Sequence, residues 1–412
     1  MKRFVHSICL LSVVSVLILG VSGLSPGRAS AEAVQVGKGN DHGHNTTSLS
    51  ASLDSGAATA GNLLIVICAA RSASGISVPS GYTTAVSQTG APSQAIFYKV
   101  AEGGESSATC SISGGNTFMG AQIYEYSGLV TDDVLDGVAS ASGTGSSVSS
   151  GSVSTAASQT LLIAGTVIDD ETSYSGWSNS FTEEYDFAND GGRAHDRQTY
   201  GGASRVATSA DSYSTTASTG GSGAWRGQIA AFKVFVPVLA VDIVDGAGDP
   251  VANPSAGFAP VNTSFACQTA AATLGTASQR VRVTNTTGSG DWTLTLEPTD
   301  GTSAEWSNGT DSYAFNDPAG APPGCESGQL AVDPSGGSVT PQGSCGTAGL
   351  SLGSGSAFSS TEQVMALLTA SGSQTGCEFD ITGIELTQQI PAEVPASQSP
   401  YSIDMTLTIT AN

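Results

Sequence analysis

The residues able to do chemistry in this 412-residue chain are few, and each group falls short of a catalytic constellation. Asp41-His42-Gly43-His44 offers two imidazoles and a carboxylate, and alternate positions on an extended segment put both rings on one side, as a transition metal requires. The segment lies close to the expected mature N-terminus, where chains fray, so a solvated tail is expected. Arg193-Ala194-His195-Asp196-Arg197 holds a histidine beside an acid. Adjacent strand residues face opposite ways, however, which makes His195 and Asp196 a poor dyad. No G-x-S-x-G nucleophile elbow occurs. The expectation is a protein with no catalytic residues, and a glycan-degrading enzyme is the least favoured class.

The acids are better placed to bind than to catalyse. Asp169-Asp170-Glu171 ends one strand-like run, and Glu183-Glu184-Tyr185-Asp186 with Asp190 follows in the next. Oxygen ligands on such connections suit calcium, although the spacing fits no EF-hand loop. Calcium is therefore the only cofactor left open, and solvated charge is the plainer reading. Trp177 stands in a turn between Ser175-Gly176 and Ser178-Asn179. With Tyr174 and Tyr185 it forms a candidate ligand-binding group, since an aromatic face in a loop at the end of a sandwich can stack on a sugar ring.

The rest of the composition says where such a group would work. Lys2 and Arg3, an apolar run from Ile8 to Leu19, and Ala29-Ser30-Ala31 read as a secretory signal over residues 1–31. No membrane insertion is expected after its cleavage. The formal charge of −22 comes from 13 Lys+Arg against 35 Asp+Glu, a surface that repels nucleic acid and anionic membranes. Cys9 leaves with the signal. The remaining cysteines, Cys68, Cys110, Cys267, Cys325, Cys345 and Cys377, form an even set in an exported chain and read as disulfides. No C-x-x-C spacing points to zinc.

Strands must position all of this. Asn62-Leu63-Leu64-Ile65-Val66-Ile67 is echoed by Thr160-Leu161-Leu162-Ile163-Ala164-Gly165. In the same order Ser80-Gly81-Tyr82-Thr83 recurs as Asn179-Ser180-Phe181-Thr182, and Gln122-Ile123-Tyr124 as Gln228-Ile229-Ala230. Ser93–Val100 and Gly120–Tyr126 alternate apolar and polar residues, the period of a half-buried strand. Each copy reads as one half of a single jelly-roll-like sandwich. Thr166 and Thr216 stand in the second copy where Cys68 and Cys110 stand in the first. Joint loss is what a bonded pair predicts, so Cys68 pairs with Cys110. Cys325–Cys345 and Cys267–Cys377 are the favoured pairs among the rest.

The chain is thus expected to be all-β, with two antiparallel sandwich domains of jelly-roll or immunoglobulin-like type in tandem: residues 32–235, the duplicated domain, and residues 236–412. In the second, Gln279–Asn285 and Asp291–Leu296 alternate on either side of Gly288-Ser289-Gly290, which predicts a hairpin. The chain closes on another alternating run, Tyr401–Thr410.

Two resemblances add to this reading. The stretch VTNTTGSGDWTLTLEP followed by the C-terminal YSIDMTLTITAN resembles the two motifs of WxL cell-surface domains, although the second lacks its tryptophan. That resemblance implies non-covalent attachment to peptidoglycan or another cell-surface glycan, with Trp292, Leu294 and Tyr401 as surface-attachment residues. The first domain, with its GNLL, PSGYT, FYKVA and YEYSGL segments, is similar to a β-sandwich module of secreted bacterial and tail-fibre-like proteins, which implies adhesion or carbohydrate binding. Together they predict a secreted, wall-associated adhesion or carbohydrate-binding protein. The alternative is a structural subunit of a surface array or filament that self-assembles through its last strand.

Overall fold

The computed structural model describes residues 12–13, 32–190, 197–262, 264–287, 290–320, 327–372, 376–392, 394–395 and 400–412. The segment expected to be a secretory signal, residues 1–31, apart from residues 12–13, and Arg193, His195, Cys325 and the Gly288-Ser289 pair lie outside them. The chain is nearly all β, with no helix beyond two short 3-10 turns among the described residues. It divides into two compact units, Ser30–Val236 and Pro237–Asn412.

The duplication is visible strand by strand. The first copy contains β1 (Val34–Thr46), β2 (Ser48–Ser52), β3 (Leu63–Ala70), β4 (Ile76–Ser77), β5 (Thr83–Gln88), β6 (Ser93–Val100), β7 (Ser107–Ile112) and β8 (Thr117–Ser127). The second contains β9 (Leu135–Ser149), β10 (Val153–Ser154), β11 (Thr160–Ile168), β12 (Tyr174–Ser175), β13 (Thr182–Asp190), β14 (Arg197–Ala207), β15 (Ser212–Tyr213) and β16 (Thr216–Lys233). The large sheets run β1-β8-β3-β6-β5 and β9-β16-β11-β14-β13, the same order shifted by eight. The small sheets are β2-β7-β4 and β10-β15, with β12 added to β16.

Each copy is therefore a two-sheet, jelly-roll-like unit with a core of its own, and not half of one, which corrects the expectation from sequence. The reason lies in the central strands. All of Leu63–Ala70 and all of Thr160–Ile168 are buried. Leu64, Val66, Cys68 and Ala70 face the core of the first copy, whereas Leu63, Ile65 and Ile67 face Leu161, Ile163, Ala230 and Phe232 of the second. A strand covered on both faces is written as a continuous apolar run, without alternation. The two copies pack through their large sheets, which gives this unit four sheet layers.

Missing side chains make that seam close. A Cβ on Gly120 would stand 2.5 Å from the Tyr200 ring, and one on Gly202 would meet Gln122 Oε1 and Tyr124 Oη. Polar cross-links surround the apolar centre: Lys38–Glu184 at 2.8 Å, Arg71–Asp169 at 2.8 Å, and Asn189 Nδ2 donating to Gly43 O at 2.7 Å.

The C-terminal unit is built from three four-stranded sheets and a small hairpin around one core. Arg280–Asn285 and Trp292–Pro298 do not form the expected hairpin. The former lies between Leu239–Val244 and Cys377–Thr382, the latter between Met365–Ala370 and Met405–Ala411. Both are central strands whose two edges are already paired, so the chain crosses from one sheet to another between them. The last strand begins at Met405, and Tyr401-Ser402 precedes it as an isolated bridge to Ser307.

Cys68 and Cys110 are bonded and tie the large sheet to the small sheet in the first copy. The second disulfide is Cys345–Cys377, which overturns both Cys325–Cys345 and Cys267–Cys377. Ser338–Pro341 pairs with Cys377–Thr382, so the loop leaving Pro341 carries Cys345 to the start of that strand. Cys267 is also disulfide-bonded.

Candidate functional site

The loop from β12 to β13 is held from several sides. Gly176, Asn179 and Ser180 all adopt positive φ, which turns the chain sharply around Trp177. Ser178 N donates to Thr216 O at 2.9 Å, Asn179 Nδ2 to Ser214 O at 2.8 Å, and an Arg205 guanidinium N–H to Asn179 O at 2.8 Å. Phe181 is buried beneath the loop. These bonds fix the indole before any ligand arrives, which reduces the ordering entropy that binding must overcome.

Trp177 is half-buried. Its ring leans on Tyr174 at 5.9 Å between centroids and 31° between planes, and it packs over both apolar clusters of the second copy. Its Nε1 donates to Glu183 Oε2 at 3.0 Å. Tyr174 is itself buried: its hydroxyl donates to Thr199 O at 3.2 Å and its backbone N–H to Asp186 Oδ2 at 3.0 Å. Partial burial pushes the Asp186 carboxyl above the usual range, the Tyr174 N–H opposes the shift, and the Glu183 charge adds to it. The result is a half-buried indole whose N–H is held by Glu183, beside a tyrosine whose backbone N–H is held by Asp186.

Tyr185 does not join this group, contrary to expectation. A β-bulge between Glu183 and Tyr185 reverses the alternation of β13. Glu183 and Asp186 therefore reach towards Trp177 and Tyr174, while Glu184 and Tyr185 turn towards the first copy. Tyr185 lies 5.5 Å from the Tyr124 ring, with Lys38 Nζ 5.2 Å from its centroid. At the sequence level Glu183 was read only as part of an acidic run and not as a partner of Trp177, because no pattern of residue types marks a bulge.

Of the other acids, the side chain of Asp190 lies outside the described residues, and those of the Asp169-Asp170-Glu171 run are committed to partners. Asp169 pairs with Arg71 and Glu171 with Arg197, while Asp170 accepts from the backbone N–H groups of Glu171 and Ser222. Burial raises the Asp169 carboxyl despite Arg71. Among the described residues no three His, Cys, Asp or Glu side chains converge to hold a metal ion. His42 and His44 sit in β1, paired with β8, and not in a frayed tail. His42 lies 6.0 Å from the Phe187 ring and His44 6.3 Å from that of Phe118.

The three expected attachment residues are interior. Trp292, Leu294 and Tyr401 are each 0% exposed. Trp292 meets Phe379 at 6.2 Å between rings, and the Tyr401 hydroxyl donates to Pro395 O at 3.2 Å. Period-two alternation marks the face of a strand that is buried, and here that face is the core, so none of the three offers a side chain to a partner.

No family model matches this chain, and no curated protein or solved structure matches it significantly. Among the described residues no helix is long and apolar enough to cross a membrane.

Proposed function

We propose that this is an exported, cell-surface glycan-binding protein whose binding group is the Trp177 loop of the second sandwich. The observation that carries the reading is the half-buried Trp177 indole, braced by Tyr174 and bonded to Glu183, with the Asp186 carboxylate on the Tyr174 backbone beside it. A flat apolar ring beside carboxylate acceptors is what a pyranose needs: C–H groups stack on the ring and hydroxyls donate to the acids. The disulfides fit an oxidising compartment. Within this reading the C-terminal unit attaches the protein non-covalently to peptidoglycan or another wall glycan. Because Trp292, Leu294 and Tyr401 are core residues, it does so through surfaces that their strands support.

A glycan array probed with the mature chain tests the proposal. Selective binding to neutral glycans, weakened about tenfold or more by Trp177→Ala, is expected, a loss of about 1.4 kcal/mol or more. A wild-type chain that binds no glycan, or a variant that binds equally well, removes the assignment.

One observation favours a second reading, a subunit of a surface array. Among the described residues Met405–Ala411 ends its sheet with a single hydrogen-bonded strand neighbour, which leaves an edge to which another copy can add a strand. Filaments or lattices in electron micrographs of the purified protein would support it, and monodisperse monomers at high concentration would oppose it.

A further inference from the structure

A cavity of about 310 Å³ opens in the first unit, between the β5 and β6 side of the first copy and the segment that leads into β9. Its size is at the lower end for small-molecule sites. The walls carry Thr83, Tyr98, Lys99, Glu102, Thr131 and Asp133. We propose that this cleft is a second, separate binding site, for a neutral saccharide of one or two rings.

The argument rests on unused hydrogen-bonding capacity around a flat wall. The Lys99 ammonium binds Glu102 Oε1 at 3.2 Å and Glu105 Oε1 at 2.8 Å, which leaves the third of its N–H donors for a ligand. Across the cleft Asp133 takes Lys233 Nζ on Oδ2 at 2.6 Å, and its Oδ1 remains an acceptor. The hydroxyls of Thr83 and Thr131 make no hydrogen bond to any described residue. Tyr98 supplies the wall, half-buried and held edge-on by Phe232 at 5.6 Å and 64°. Donors and acceptors that alternate beside an aromatic ring match the hydroxyls and C–H face of a sugar.

Charge excludes the rival ligands. Lys99 and Lys233 against Glu102, Glu105 and Asp133 leave a local charge of −1, in a chain whose formal charge is −22. Phosphates, uronates and nucleic acid are disfavoured there. Nor is the cleft a by-product of the repeat. The large-sheet registers align Leu63 and Val100 with Leu161 and Val206, so Ser204 and Arg205 stand where Tyr98 and Lys99 stand in the first copy. Arg205 is occupied by Asn179 O and the Tyr213 ring.

Glu102 and Asp133 are 84% and 88% exposed at the side chain, so their ion pairs add little to stability and can be changed without unfolding the sandwich. Isothermal titration of the full mature chain with a panel of neutral mono- and disaccharides tests the site. Saturable binding that falls about tenfold or more in the double variant Glu102→Gln/Asp133→Asn, with Tm unchanged and with binding retained in Trp177→Ala, is the expected result. If the double variant lowers Tm, Thr131→Val takes its place. Absence of saturable binding to wild type, or loss only in Trp177→Ala, overturns the cleft, and the latter would leave the loop site standing.

Discussion

Trp177 and Trp292 have opposite fates although both stand in polar, turn-rich sequence. Trp177 stays half-buried in a loop that Gly176, Asn179 and Ser180 turn through positive φ. Trp292 fills the C-terminal core, and its Nε1 has no hydrogen-bond partner among the described residues. Trp292→Ala is therefore predicted to destabilise the C-terminal unit by about 3–5 kcal/mol, read by calorimetry or urea unfolding. Any loss of surface binding in that variant would report unfolding and not a lost contact. Glu105 gives a pH signature. Lys99 holds its carboxyl down to about 2, below the usual value near 4.3 for an unfolded chain. A depressed carboxylate contributes stability above the unfolded pKa and loses it as pH falls through the folded one. Glu105→Gln should thus lower Tm at pH 7, and the gap to wild type should close between about pH 4 and pH 2.

Among the elements, the seam between the copies decides the architecture of the first unit. Gly120→Ala places a methyl against Tyr200, and Gly202→Ala places one against Gln122 and Tyr124. Each should cost about 1–3 kcal/mol by overpacking, measured as a drop in urea midpoint, whereas alanine at solvent-facing Gly115 should not. The Cys68–Cys110 bond spans 42 residues, so loop entropy predicts that the double alanine variant loses about 4 kcal/mol. That bond was legible because the second copy lacks both cysteines: the strand registers put Thr166 at the place of Cys68 and Ala217, one residue beyond the threonine the sequence spacing picks out, at that of Cys110. The β-bulge at Glu183 was not legible, since it depends on pairing with β14. The missed hairpin has a similar cause: alternation shows that Arg280–Asn285 and Trp292–Pro298 each bury one face, but not that their paired edges belong to other strands. The unbroken run from Leu63 to Ala70 marks a strand covered on both faces, but the expectation of a single sandwich built from two halves passed over that sign.

Across the whole molecule the composition and the fold agree. A chain rich in Gly, Ser, Thr and Ala, with only 13 basic residues, folds as antiparallel sheets, and several of its acids pair with those few bases. A net charge of −22 disfavours polyanionic ligands, which is why neutral glycans are the class proposed for both the Trp177 loop and the inter-copy cleft. The most direct test is quantitative binding of the mature wild-type chain and its Trp177→Ala variant to the strongest ligand on a neutral-glycan array. The account predicts saturable wild-type binding and about a tenfold or greater loss in the variant, measured at a temperature at which both proteins are folded. Equal affinity of the two folded proteins would contradict it.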